Sequence, residues 1–208
     1  MIDPRAAGLA IALLILPLTG CKIVQIADQE TAAPAGFDAN SYVAGLWESQ
    51  ALPHFKQSAK PVTEVLPAIA SDFAAAGSNL GYRAGEGSPW SFVVTGTGKV
   101  VAKNTESRAG TLEVQVDGIE APVVLQIGPV IRGNAVRDAL PFVSFKNFTN
   151  QIEFANAGKA LTATALAGFS PNVEAIKVGD TVRFTGALSL SSKSDAPLVT
   201  PIELGVAQ

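Results

Sequence analysis

The chain has 208 residues, 48% of them hydrophobic and 16% charged, with 15 Lys and Arg against 18 Asp and Glu. That is enough apolar material for a real core in one domain, or one domain with an appendage. A net charge of −3 leaves no basic field for nucleic acid, and a lone histidine and a lone cysteine exclude two-histidine and thiolate-cluster metal sites.

Residues 1–20 read as a signal peptide. Arg5 sits near the start, and AAGLAIALLIL at 6–16 is an unbroken apolar run. The run is shorter than the about 20 residues that a membrane span requires and has the length of a signal-peptide core. Leu18-Thr19-Gly20-Cys21 follows and resembles the bacterial lipoprotein box. The resemblance implies that the Cys21 thiol takes a diacylglycerol and that the chain is cut before it. A plain secretory signal with a chance cysteine, or an N-terminal helix with a structural thiol, are the alternatives. One cysteine forms no internal disulfide, whereas each buried acyl methylene adds about 0.8 kcal/mol of membrane affinity. Lys22, where Asp would favour inner-membrane retention, leans toward the outer membrane but leaves both membranes open.

Residues 21–36 read as a lipidated tether, with KIVQI at 22–26 as an optional edge strand. Residues 37–78 read as a helical pair. Asp38 caps the first helix, Phe37 staples onto Tyr42, and Pro53 kinks or stops it. The second helix, 60–77, places Val65, Leu66, Ile69 and Phe73 on one face and ends at Gly77.

From residue 79 to 208 the texture is β-rich. A glycine-rich loop, GYRAGEGSPW, precedes a hairpin predicted to turn near Gly96–Gly98. Leu112, Val114 and Val116 alternate with Glu113 and Gln115 before a turn at Asp117-Gly118. GNAVRDAL reads as one helical turn. Residues 148–169 read as a helix whose apolar period, through Ile152, Ala155, Leu161 and Ala165, ends at Leu166, with Gly168 as its stop. VGDTVRFTGALSLSS and PLVTPIELGV close the chain as strands. Phe92, Val94, Leu112, Val114, Val124, Leu125, Ile127, Val182 and Phe184 form the predicted core. The fold class is α+β: a helical pair, then a small, mostly antiparallel barrel or curved sheet with one inserted helix over 148–166. Its order of elements resembles the oligonucleotide/oligosaccharide-binding (OB) barrel.

FDANSYVAGLWES, GYRAGEGSPWSF, SRAG, LQIGPVIRG, RDALPFVSF and FTNQIEFA together resemble an uncharacterised family of predicted periplasmic lipoproteins, a domain of unknown function. The resemblance implies an envelope lipoprotein of Gram-negative bacteria, often encoded beside genes for carbohydrate uptake by ABC transporters. It carries no catalytic residues with it.

The residues themselves support little catalysis. His54 sits beside Pro53 and reads as a surface or capping side chain. The carboxylates Glu86, Asp138 and Glu153 are scattered, so a glycosidase-like pair is a minor alternative, and no cofactor or metal is expected. For ligand binding the candidates are Arg83, Glu86, Trp90, Arg108, Arg132 and Arg137. Trp90 offers a stacking face, the charged groups meet hydroxyls, and arginine forks suit carboxylate or phosphate. The alternative is structural: Arg83 pairs with Glu86, Trp90 fills the core, and the other arginines meet carboxylates or carbonyls, because an unpaired buried charge is costly. The expected function is a non-enzymatic, lipid-anchored accessory or interaction protein linked to carbohydrate ABC import, with a sugar- or anion-binding lipoprotein as the alternative. Its expected partners are the membrane, through the lipid, and an envelope protein or ABC-transporter component.

Overall fold

The computed structural model describes residues 36–207, so the signal segment, Cys21 and the KIVQI segment lie outside the described residues. The first element is set by its cap. The Asp38 carboxylate accepts from the backbone N–H of Asn40 at 2.8 Å and of Ser41 at 3.2 Å, and starts α1 (Ala39–Leu46). Phe37 lies 5.8 Å from Tyr42, centroid to centroid, as the staple requires. The helix does not stop at Pro53. It widens through one π-helical stretch, Trp47–Ala51, and resumes as α2 (Leu52–Ser58). Pro53 falls in the first turn of α2, where its missing N–H costs least.

A two-residue strand β1 (Lys60–Pro61) leads into α3 (Val62–Ser71) and α4 (Phe73–Leu80). Asp72 separates the two helices and caps α4 by accepting from Ala75 N–H at 3.0 Å. Gly77 was expected to end the helix, and the structure corrects this. The helix runs to Leu80, and Gly77 is there because the indole of Trp90 fills the space of its missing side chain.

The predicted hairpin at Gly96–Gly98 is also corrected. β2 (Trp90–Asn104) is one long strand that pairs with β5 (Thr181–Leu190) over residues 90–99 and with β3 (Thr111–Gln115) over 99–104. Its glycines serve close approach instead of a turn. A Cβ on Gly96 would meet Phe184 and Val62, and one on Gly98 would meet the Gln115 carbonyl. β3 runs antiparallel to β4 (Val123–Gln126), β4 parallel to β6 (Leu198–Val206), and β6 antiparallel to β5. The order β2-β3-β4-β6-β5 returns to β2 and closes a five-stranded barrel. The edge of β2 not occupied by β5 is covered along its first half. Tyr82 and Ser91 exchange two backbone hydrogen bonds, of 2.8 and 2.7 Å, and β1 pairs in parallel with Val94 and Thr95.

Between β4 and β5 the chain forms α5 (Ala135–Asp138), a 3-10 turn (Phe145–Asn147) and α6 (Gln151–Ala175). α6 passes Gly168, where a stop was expected, and even Pro171. The reason is packing: Phe169 and Val173, beyond that glycine, are buried in the barrel core. Its buried face is Ala157, Leu161, Ala165 and Phe169, while Ile152 and Ala155, read as part of that face, are exposed.

The apolar residues divide between two faces of the sheet. Inside the barrel lie Phe92, Val94, Leu112, Val114, Leu125, Val182, Phe184 and Leu188, sealed by α3 and the C-terminal half of α6. Outside it, Val93, Ala187 and Ile202 pack against α1, α2, α5 and the N-terminal half of α6. The predicted core is buried except for Val124, which points outward between buried Val123 and Leu125. Among the described residues no helix is long and apolar enough to cross a membrane.

Candidate functional site

Trp90 begins β2, and its indole is committed to packing. Gly77 of α4 lies against it, and the Arg83 guanidinium stands over the ring at 4.5 Å from the centroid. A sugar could stack there only by displacing Arg83. Among the described residues the ion pairs are Lys56–Glu203 and Arg137–Asp138, so Arg83 and Glu86 are not paired. Both are exposed on a loop that turns at Gly87, where φ is +80°.

Arg108 and Arg132 are also exposed, on neighbouring segments joined by a 3.0 Å bond from Val130 N–H to the Arg108 carbonyl. The Arg132 backbone is fixed by buried Gln126. Its amide oxygen accepts from Arg132 N–H at 2.8 Å, and its nitrogen donates to the Arg132 carbonyl at 3.2 Å and to Thr200 Oγ1 at 3.0 Å. Arg137 makes the expected carboxylate contact. Its Nε donates to Asp138 Oδ1 at 2.8 Å, and its guanidinium lies 3.9 Å over the Phe154 ring.

The candidates therefore do not converge. Arg137 lines one cavity of about 400 Å³, between the 82–89 loop and the connection from α5 to α6. Tyr82, Asp138, Phe145, Lys146 and Phe154 line it too. Arg83, Glu86, Trp90, Arg108 and Arg132 do not. A more open hollow of about 510 Å³ along β6 contains none of the candidates. Sequence reasoning reached Arg137 and Asp138 but missed the aromatic residues Tyr82, Phe145 and Phe154. The signal was available as three phenylalanines in FKNFTNQIEF, spaced along a stretch with few charges.

The remaining chemistry-bearing residues are occupied. Glu153 is buried and accepts from Thr149 N–H at 2.9 Å, closing the start of α6 beside the Asn150 cap. Glu86 is exposed and Asp138 is bound to Arg137, so no two of the three carboxylates face each other across a site. His54 is half-buried, with Nε2 donating to the Ala139 carbonyl at 2.9 Å, which ties α2 to the end of α5. Among the described residues no cluster of histidine, cysteine and carboxylate side chains is arranged to hold a metal.

A family model described as "Predicted periplasmic lipoprotein (DUF2291)" matches residues 10–205. Among solved structures, the chain resembles the crystal structure of an OB-fold protein from Thermotoga maritima, with a TM-score of 0.69 and 19% identity over 83% of this chain and 99% of that one. That likeness establishes the OB fold, whose helix between the third and fourth barrel strands corresponds to α6. Comparison with curated proteins gives no match.

Proposed function

We infer the function from one premise: the chain belongs to the family of predicted periplasmic lipoproteins whose model spans residues 10–205. It acts without catalysis, as a lipid-anchored accessory or interaction protein on the periplasmic side of the envelope, in the service of carbohydrate import by ABC transporters. The observation that carries this reading is the dispersal of the candidate residues. Arg83 stacks on Trp90, Arg108 and Arg132 stand exposed on other loops, and Glu153 and His54 are spent on holding helices. Exposed, separately placed charges suit a surface that meets another protein better than a pocket that performs chemistry. The import link is supported by the family resemblance alone.

Crosslinking in living cells tests it, followed by purification of the tagged, lipidated protein from membranes and identification of its partners by mass spectrometry. A sugar permease or its periplasmic binding protein should be enriched with the wild type and lost with Cys21→Ser. Enrichment of neither, across growth on several sugars, would remove the import link.

A second reading rests on the cavity of about 400 Å³. There Arg137, Asp138 and the ring of Phe154 lie together, a combination suited to a small sugar or an anion. Titration calorimetry with monosaccharides and inorganic phosphate separates the readings. Heat lost in Arg137→Ala would favour the pocket, and no heat in the wild type would remove it.

A further inference from the structure

We propose that the connection from α5 to α6, with the first turn of α6, rests on the bilayer that carries this chain's own lipid. The proposal depends on the lipoprotein reading above. Residues 141–152 contain a single charged side chain, Lys146, together with Phe142, Phe145 and Phe148. Two large apolar side chains in that stretch face solvent: Phe145 is 47% exposed and Ile152 52% exposed. Phe145 is nevertheless held in place, edge-on to Phe154 at 5.7 Å. That contact holds one side of the ring and leaves about half of the residue in water.

The charges around it fit a lipid surface. Lys146 is exposed beside Phe145. Glu153, the nearest acid in sequence, is turned inward onto Thr149, and Asp138 is bound to Arg137. Within residues 138–153 no exposed carboxylate is left unpaired; the exposed carboxylates nearby are Asp38, engaged as the cap of α1, and Glu86, on the 82–89 loop. An apolar ring at the acyl boundary with an ammonium among the headgroups is how peripheral surfaces hold a membrane.

Chain continuity selects the bilayer over a soluble partner. Phe37, at the start of the described fold, packs edge-on against Phe148 at 5.5 Å. The described chain thus begins beside this stretch, with Phe37 against Phe148. Residues 22–36 reach at most about 50 Å when fully extended. The lipid anchor therefore keeps this face and the membrane at high effective concentration, and a weak intrinsic affinity suffices to dock it.

The test uses the full lipidated chain in vesicles of phosphatidylethanolamine with a minority of phosphatidylglycerol. With Cys21 acylated, Gln151→Cys or Glu120→Cys supplies the only free thiol for a nitroxide label. At Gln151, collision with a water-soluble nickel chelate should be several-fold lower than at Glu120. The difference should disappear when Phe145→Ser and Ile152→Ser are added. Phe145→Ser gives up the edge contact with Phe154, so the melting temperature of the double variant is checked against the wild type, and Ile152→Ser alone, at an exposed position, is read beside it. Equal collision rates with Cys21 acylated would overturn the proposal while leaving the anchor intact. Uptake of label by Cys21 in the chain without an added cysteine would overturn the lipoprotein premise, and this proposal with it. Shielding in native membranes but not in pure lipid vesicles would assign the surface to a protein partner, and so would also overturn it.

Discussion

The backbone of Gly77 in α4 lies directly against the indole of Trp90 at the start of β2, with no room between them for a methyl group. Gly77→Ala sets two effects against each other. Alanine gains about 1 kcal/mol of helix propensity, whereas forcing a methyl into a filled contact costs about 1–3 kcal/mol. A retreat of the ring would disturb both its packing against the barrel core and its contact with the Arg83 guanidinium. The variant should unfold at lower urea concentration than the wild type, with altered tryptophan emission. A raised midpoint would mean that the indole moves aside.

Lys103 of β2 reaches the end of α6, where its ammonium donates to the carbonyls of Val173 at 2.7 Å and Ile176 at 2.8 Å. These acceptors belong to the helix terminus, where carbonyls are short of partners and a cation is favoured; the Val173 carbonyl also accepts from Ile176 N–H at 3.3 Å. Lys103→Met keeps the aliphatic stem and removes the donors. It should cost about 1–3 kcal/mol and speed amide exchange in the last turn of α6. Unchanged exchange there would show that water replaces the lysine without loss.

Acid should loosen the first helix. The Asp38 carboxyl is held below its ordinary value of 3.8, first by the backbone N–H of Ser41, then by the Ser41 hydroxyl and the Asn40 N–H. A carboxyl lowered in the folded state stabilises fully above the unfolded value and loses that contribution as pH falls through the lowered one. Asp195, lowered by Ser191 N–H and then by Ser192, has the same sign. Melting temperature measured from about pH 5 downward should fall less steeply in Asp38→Ala than in the wild type, from a lower starting point. Identical slopes would mean that the cap is already broken in solution.

Anchoring is tested at its one thiol. Cys21→Ser should leave an uncut precursor that takes up no radiolabelled palmitate, while the wild type is labelled. Normal labelling of the variant would sink the lipoprotein box.

The barrel was legible because alternation is a local signal. Leu112, Val114, Val182 and Phe184 fall where period two puts them, and all are fully buried. The errors have one physical source, which is that glycine serves two purposes. Gly96, Gly98 and Gly77 looked like turns or stops, but each is an absent side chain where Phe184, Gln115 or Trp90 comes close. Only the folded chain brings those partners near. Gly168 misled for a related reason: α6 continues past it to deliver Phe169 and Val173 to the barrel. The cavity was half-visible. Arg137 stood out beside its carboxylate and the phenylalanines of 145–154 lie in one short stretch, but Tyr82 reaches the cavity from a distant part of the sequence.

A lipoprotein lives in two dimensions, where neighbours meet often and in similar orientations. Under those conditions an unpaired strand is a template for self-association. In this barrel the hazard lies at the first half of β2, the length that β3 does not reach. There Tyr82 and Ser91 exchange their backbone bonds, and Lys60–Pro61 lies alongside. β1 itself offers a poor edge to a further strand, because one of its two residues is a proline with no N–H to give. A strand of two residues, one of them proline, leaves little for a neighbouring copy on the same leaflet to pair with, and Pro61→Val should raise the tendency to self-associate.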